Sequence, residues 1–447
     1  MAFMKKKFIF GFFLAGAAVG AKAEESGIKL DPLHMQANWE GGQIESFDNR
    51  GNQTAAQIKD KQLMSHSSVW LVQQAQLADN VKVSLGVGGI YFFIPASPNN
   101  NYSFGQRSAF GLSDLHAEFD FWKQEENDHG LSLRVGVIPY KYNEDAKNLG
   151  EYMFRTYSYP TIIYTGGLVA LNSAGVQLDG VDLNTKLGGL KNDLMTTVKT
   201  DQAPSGALSL TDIVSYSIKN VFTIGGGYQF DNFYDATALA RGNFNPSGVS
   251  NYSVLSDGRV INNGGTVSAA DSLLITKSGH YTFVGQKAMG RASLDLGNLI
   301  SSSFFRDKQF RLYAEVIAMG IKDYPGNYEK LSDRIAYMYG LNIPTWNILD
   351  LLSVETEFCR NPLPDNSYEA LQELAPVPKT DAGINGASDN LKWTLYAQKK
   401  IINGFSITAQ AARDHMRLVD FFGHYYDQTI MQHPKNWYWA VQLGYAI

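Results

Sequence analysis

The chain is 447 residues long, 44% hydrophobic and only 18% charged, with a formal net charge of −5. That mildly acidic balance argues against a nucleic-acid partner. The single cysteine, Cys359, rules out an internal disulfide and any cysteine-based metal cluster. With 24 Tyr, 25 Phe, 7 Trp and 42 Gly, the composition points to strands with aromatic ends and tight packing rather than to helices.

The first residues read as an export signal. Lys5, Lys6 and Lys7 form a basic head, Phe8 to Gly20 is an apolar stretch too short to cross a bilayer comfortably, and Ala21-Lys22-Ala23 is an A-x-A cleavage site. Residues 1–23 are therefore expected to be removed and residues 24–447 to form one domain, made more acidic by the loss of these lysines. An uncleaved anchor helix is the rival reading. No later segment is apolar for long enough to be a transmembrane helix, so a secreted β protein and an outer-membrane β-barrel are the two classes left.

Period-2 alternation recurs along the chain. In LHAEFDFW, Leu115, Ala117, Phe119 and Phe121 oppose His116, Glu118 and Asp120; in GLSLRVGVI, Leu131, Leu133, Val135 and Val137 oppose Ser132, Arg134 and Gly136. FTIGGGYQF, QKAMGRASLDL, FRLYAEVIA, DRIAYMYGL, SVETEF, KWTLYAQ and FSITAQA continue the pattern. Segments of roughly ten alternating residues are what barrel strands, apolar outside and polar inside, look like in sequence.

The connections separate a barrel from a sandwich. Long ones are expected near 49–61, 94–110, 140–170, 201–210, 231–279, 321–332, 360–390 and 414–435, and short ones near 79–80, 123–130, 184–192, 219–220, 298–309, 344–350 and 401–403. Eight long and seven short connections in strict alternation join sixteen strands and put all the long loops at one end.

The chain closes on NWYWAVQLGYAI, with Trp439, Val441, Leu443, Tyr445 and Ile447 at alternate positions. Export signal, alternating segments and terminal strand together resemble the Gram-negative outer-membrane porin-type barrels across essentially the whole chain after residue 23. The resemblance implies an antiparallel up-and-down barrel in the cell outer membrane, with outer-membrane lipid around it. It also implies a terminal strand read by the barrel-assembly machinery, although Ile447 stands where that family usually has Phe. That last strand is expected to pair with the first, within MQANWEGGQIESF, so that neither is an edge.

If the apolar faces see lipid, the opposite faces line a lumen. The expected lining residues are Glu118, Asp120, Arg134, Lys287, Arg291, Asp295, Arg311, Glu315, Arg334, Glu355 and Glu357, with Lys392 and Lys400 on the same parity. Their charges nearly cancel, so no ion preference follows.

The third long loop, PYKYNEDAKNLGEYMFRTYSYPTIIYTGG, is expected to hold a short helix capped by Asn143, with Ala146, Leu149 and Met153 on one face and Gly150 weakening it. Such a helix resembles the constriction loop that porins fold into the channel. Lys141, Lys147 and Arg155 would then face Glu144, Asp145 and Glu151 across the opening. Tyr140, Tyr142, Tyr152, Tyr157, Tyr159 and Tyr164 either pack this loop against the wall or, as in sugar-selective porins, offer rings to sugar faces.

Enzymatic motifs are thin. There is no H-E-x-x-H, G-x-S-x-G or P-loop. His415, Asp420, His424 and Asp427 cluster in the last long loop, and Asp231 and Asp235 are weak candidates for calcium. The reading is thus a non-enzymatic channel for small hydrophilic solutes, with no cofactor. A barrel with a plugged lumen and, behind it, an outer-membrane hydrolase are the alternatives. A homotrimer would need a lipid-facing strip of small residues, for which Ala288, Gly290 and Ala292 are candidates.

Overall fold

The computed structural model of the protein describes residues 28–46, 60–94, 108–124, 129–154, 171–179, 183–184, 188–198, 207–219, 221–235, 252–254, 260–262, 285–300, 309–318, 321, 331–359, 391–414, 416, 431 and 434–447. The expected signal segment, Arg155, Tyr157, Tyr159, Tyr164, His415, Asp420, His424 and Asp427 lie outside the described residues, as do the side chains of Asp231, Asp235 and Arg334.

Sixteen long antiparallel strands form one closed wall. They are β1 (His34–Ser46), β2 (Gln62–Ala78), β3 (Val81–Ile94), β4 (Ser108–Gln124), β5 (His129–Tyr140), β6 (Leu171–Asp179), β7 (Gly189–Val198) and β8 (Ala207–Ile218). The second half is β9 (Phe222–Asp235), β10 (Gly285–Asp295), β11 (Arg311–Ala318), β12 (Ile335–Asn342), β13 (Leu351–Cys359), β14 (Leu391–Ile402), β15 (Phe405–Arg413) and β16 (Trp437–Ala446). Each pairs with the next in sequence, and β16 pairs with β1 from Gln36↔Ala446 to Ser46↔Trp437. Met35 and Ile447 exchange backbone hydrogen bonds of 3.0 and 2.9 Å beyond that ladder. The terminal pattern therefore ends in a paired strand, with neither edge open.

Alternation explains the two faces. On β16, Trp439, Val441, Leu443 and Tyr445 point outward while Tyr438, Ala440 and Gln442 are buried inside. The same parity leaves Leu85, Val135, Val176, Leu194, Val316 and Leu395 exposed on the outer surface. Bulges adjust it locally: the register shifts between Asp120 and Trp122 on β4, so Phe121 and Trp122 both end up exposed.

One part of the inner face breaks the rule that barrel interiors are polar. Across β8 to β12 a single register row carries Ile213, Gly227, Met289, Ile317 and Ala336, with Met195 and Met338 beside it. The loop after β5 covers this patch. Its Tyr142, Ala146, Leu149, Tyr152 and Met153 are buried against the row, so among the described residues an apolar core sits inside the cylinder between loop and wall. Burial of apolar surface on both partners is the force that folds the third loop inward.

Candidate functional site

The inward loop is not an α-helix as expected. Among its described residues, 141–154, a single 3-10 turn, Tyr152–Phe154, is regular, and Gly150 and Glu151 take left-handed φ values of 87° and 61°. Ala146, Leu149 and Met153 are all buried, but along an irregular path. The physical reason lies in the backbone donors: apart from one turn, Ala146 N to Asn143 O at 3.2 Å, those of residues 147–149 and 151–152 are satisfied by the wall and not by carbonyls of a preceding helical turn.

Two wall carboxylates receive them. Glu355 on β13 accepts from the backbone N–H of Lys147 (2.6 Å), Asn148 (2.9 Å) and Leu149 (2.9 Å), and from the Tyr313 hydroxyl (2.7 Å). Glu315 on β11 accepts from the N–H of Glu151 (3.1 Å) and Tyr152 (3.1 Å), from Asn143 Nδ2 (3.0 Å) and from the Tyr142 hydroxyl. Consecutive N–H groups converging on an anion form a concave donor nest, and charge-assisted bonds of this kind are about twice as strong as neutral ones. Asn143 thus holds the loop to the wall and caps no helix. A third tether joins Asn148 Nδ2 to Asp414, which also accepts from Tyr438 Oη at 2.6 Å.

The described charges of the loop find partners on loop and wall alike, and Lys141 feels Glu151, Glu144 and Asp145. Asp145 reaches over to Arg311 of β11, Oδ1 to Nη1 2.8 Å, while Lys147 Nζ and Lys141 Nζ donate to backbone carbonyls of the loop itself, Glu144 O and Ala146 O. Glu151 turns back to accept from Asn143 N at 2.6 Å. Burial first, and the nearby Glu315 charge second, push its carboxyl up to about 8. Burial pushes the Lys141 ammonium down, opposed by Glu151 and Glu355.

Of the lining residues read from sequence, Glu315 and Glu355 lie on the inner face but beneath the loop, closed off from open water because the loop's donors occupy them. Glu357 faces Lys392 in register, both buried, and Lys392 Nζ donates to Met431 O. Glu118 and Arg134 are register partners joined at 3.0 Å, with Asp120 further along the same face. Lys287 stands opposite Gln229, and Asp295 opposite Arg311 at 3.4 Å. Arg334 belongs to the turn that enters β12. Trp439, Val441, Leu443, Tyr445 and Ile447 occupy the closing strand and its last backbone pair.

Between loop and wall remains a polar cavity of about 580 Å³. Lys141 to Asp145 form one side; Lys191 and Asp193 of β7, Ser215 of β8, Thr223 of β9, Arg291 and Ser293 of β10, and Arg311 form the other. Lys191 escapes the sequence reading because 184–192 is placed in a turn, and Asp193 because it then stands at the strand's very start, whereas β7 begins at Gly189. Their parity with the inward Met195 is the signal that finds them. Tyr140 and Tyr142 spend their hydroxyls on Asp193 (2.8 Å) and Glu315, and Tyr152 is buried, so these three rings pack the loop and form no open stacking ladder. Among the described residues no group of three His, Cys, Asp or Glu side chains is disposed to hold a metal ion.

Neither a family model nor a curated protein matches the chain. Among solved structures, a mutant of the Rh. blastica porin aligns over 94% of this chain and 100% of its own at 10% identity and a TM-score of 0.44. Salmonella typhi OmpF in complex with daunomycin aligns over 95% of this chain and 99% of its own at 10% identity and a TM-score of 0.48.

Proposed function

We propose that the protein is an outer-membrane channel through which small hydrophilic solutes diffuse passively, narrowed by its third loop. One observation carries the reading: a closed wall of sixteen strands keeps a polar, charge-lined cavity between the docked loop and its inner face. Barrels of about sixteen strands are wide enough for water, whereas those of about eight are filled by side chains. The outer surface is apolar at alternate positions, and charges are tolerated at membrane depth only where water or protein meets them. The export signal, removed at residue 23, would deliver the chain, and the assembly machinery would read the terminal strand from Trp439 to Ile447.

A homotrimer belongs to the same proposal. Gly226 lies opposite Gly290 and Ala292 opposite Ala314 on the outer parity of β9 to β11, a patch of small residues bordered by Ile224 and Val316 into which another copy can pack. A tryptophan at Gly290 should then convert a slow-migrating oligomer on unheated gels to monomer without loss of strand signal.

The decisive experiment is single-channel recording of the purified chain in planar bilayers. Stepwise, voltage-independent conductance that grows linearly with salt supports the channel; a silent bilayer with the barrel inserted overturns it in favour of a plugged lumen.

A further inference from the structure

The cations lining the cavity are not equivalent. Lys191 pairs with Asp193 at 3.5 Å, Arg311 with Asp145 at 2.8 Å and Asp295 at 3.4 Å, and Lys141 donates to Ala146 O at 2.6 Å. Arg291 makes no ion pair or hydrogen bond to any described residue. Its Nε is buried without a hydrogen-bond partner, and the side chain lines the cavity.

Its position is fixed all the same. Arg291 and Gly225 are register partners, and a Cβ at 225 would come within 2.8 Å of Arg291 Nε, so the glycine lets the side chain lie flat along β9. From the loop side the Tyr142 ring faces the guanidinium, 6.0 Å from Cζ to the ring centroid, within cation–π range. A fork held between a backbone and a ring loses little rotamer entropy when it binds.

Two hydroxyls share this corner. Ser215 is the neighbour of Gly225 on its other side, and Ser293 follows Arg291 on the same face of β10; both are largely buried, and neither makes a hydrogen bond to a described residue. Strand geometry places each roughly 7–10 Å from Arg291, the span of a short hydroxylated chain. Further out, Ser217 and Thr223 bond to each other at 3.0 Å.

We propose that this corner is a binding subsite for small hydroxylated carboxylates, the chemical class of sugar acids, with Arg291 taking the carboxylate and Ser215 and Ser293 taking hydroxyls. The proposal deepens the channel reading and rests on it for a route to the subsite. Arg291 carries one charge and stands opposite Glu315 in register with Glu151 in electrostatic reach, which leaves room for a monoanion at most; Asp145, Asp193 and Glu144, on the rim of the same cavity, oppose a dianion such as a phosphate monoester.

The test is calorimetric titration of the full chain, folded in detergent micelles at neutral pH, with gluconate, acetate (charge without hydroxyls) and sorbitol (hydroxyls without charge). Gluconate should bind saturably and at least about tenfold tighter than either control, the size of one charge-assisted contact. Arg291→Gln should weaken gluconate by about tenfold or more, Arg291→Lys by less. The double variant Ser215→Ala with Ser293→Ala should weaken gluconate while leaving acetate unchanged. Gluconate no tighter than sorbitol, or indifferent to Arg291→Gln, overturns the subsite; should that variant not fold, Arg291→Lys and the serine pair make the same decision. Titration in micelles needs no current, so conducting steps without gluconate binding defeat the subsite alone, and binding across a silent bilayer defeats the channel alone.

Discussion

The ring of Tyr313 lies directly over Gly340. A Cβ at 340 would stand 2.0 Å from Tyr313 Cε2, inside any tolerable contact, and the open space lets the hydroxyl cross strand β12 to Glu355 on β13, at 2.7 Å. The absence of a side chain at one position thus directs a tyrosine onto the carboxylate that holds the third loop. Gly340→Ala should push the ring off this path and cost about 1–3 kcal/mol, the usual penalty for overpacking. Thermal unfolding of the purified barrel should register the loss, and Gly340→Ala combined with Tyr313→Ala should recover part of it.

Removing the anchor itself has a larger and more local effect. In Glu355→Gln an amide NH2 replaces one of the oxygens that now accept from Lys147, Asn148 and Leu149. At least one buried N–H then faces another donor, at about 1–3 kcal/mol for each group left unpaired. The wall ladder does not use this side chain, so the strands should persist and the loop should lift. Limited proteolysis within residues 141–154 should accelerate roughly tenfold or more, and single-channel conductance should rise. Unchanged cleavage and conductance would show that the apolar contacts and the Glu315 and Asp414 tethers hold the loop without Glu355.

The barrel was legible because its signal is repeated: period 2 in segment after segment, and connections that alternate in length. Such a pattern survives an error of a few residues at any one boundary, as the misplaced start of β7 illustrates. The loop anchors were not legible in the same way. Glu315 and Glu355 sit in sequence as a water-lining carboxylate would, within YAEVIA and SVETEF. What distinguishes them is that residues 147–149 and 151–152, some 160 to 210 positions earlier in the chain, reach their oxygens. A partial signal did exist. Ile213, Met289, Ile317 and Met338 are apolar residues on the face that should be polar, and four such residues in neighbouring strands imply that something apolar covers them. The helical spacing of Ala146, Leu149 and Met153 identified the covering residues but mistook their backbone, since spacing does not report where N–H groups find acceptors.

The loop should respond to pH through Glu151. Its carboxyl is pushed from 4.5 to about 8 when docked, chiefly by burial and next by Glu315 of β11, with Lys141 and Arg291 pulling the other way. A carboxyl raised by docking holds its proton more tightly in the docked state. Docking is therefore strongest below about pH 4.5, weakens as pH climbs from there, and reaches its floor once pH passes about 8. Loop proteolysis followed from pH 5 to 9 should accelerate steadily and then level off. Glu151→Gln keeps an acceptor for Asn143 N and cannot ionise, so its profile should be flat across that window.

The pair formed by Arg311 and Asp145 bridges the cavity from wall to loop, with both side chains nearly nine-tenths buried. Its members should act on ion selectivity in opposite senses. Asp145→Asn removes one negative charge beside Arg311, which keeps Asp295 at 3.4 Å, and the gain of one net positive charge in the lining should move the reversal potential in a salt gradient toward anion preference. Arg311→Gln strands Asp145 and Asp295 together without their common counter-charge and should move it toward cations. Breaking a buried pair from one side costs about 3–5 kcal/mol because the remaining charge is left uncompensated. Each single variant should thus also loosen the loop, and the double variant should be less destabilised than the sum of the two. Reversal potentials that shift in the same direction for both variants would place the permeation path away from this pair.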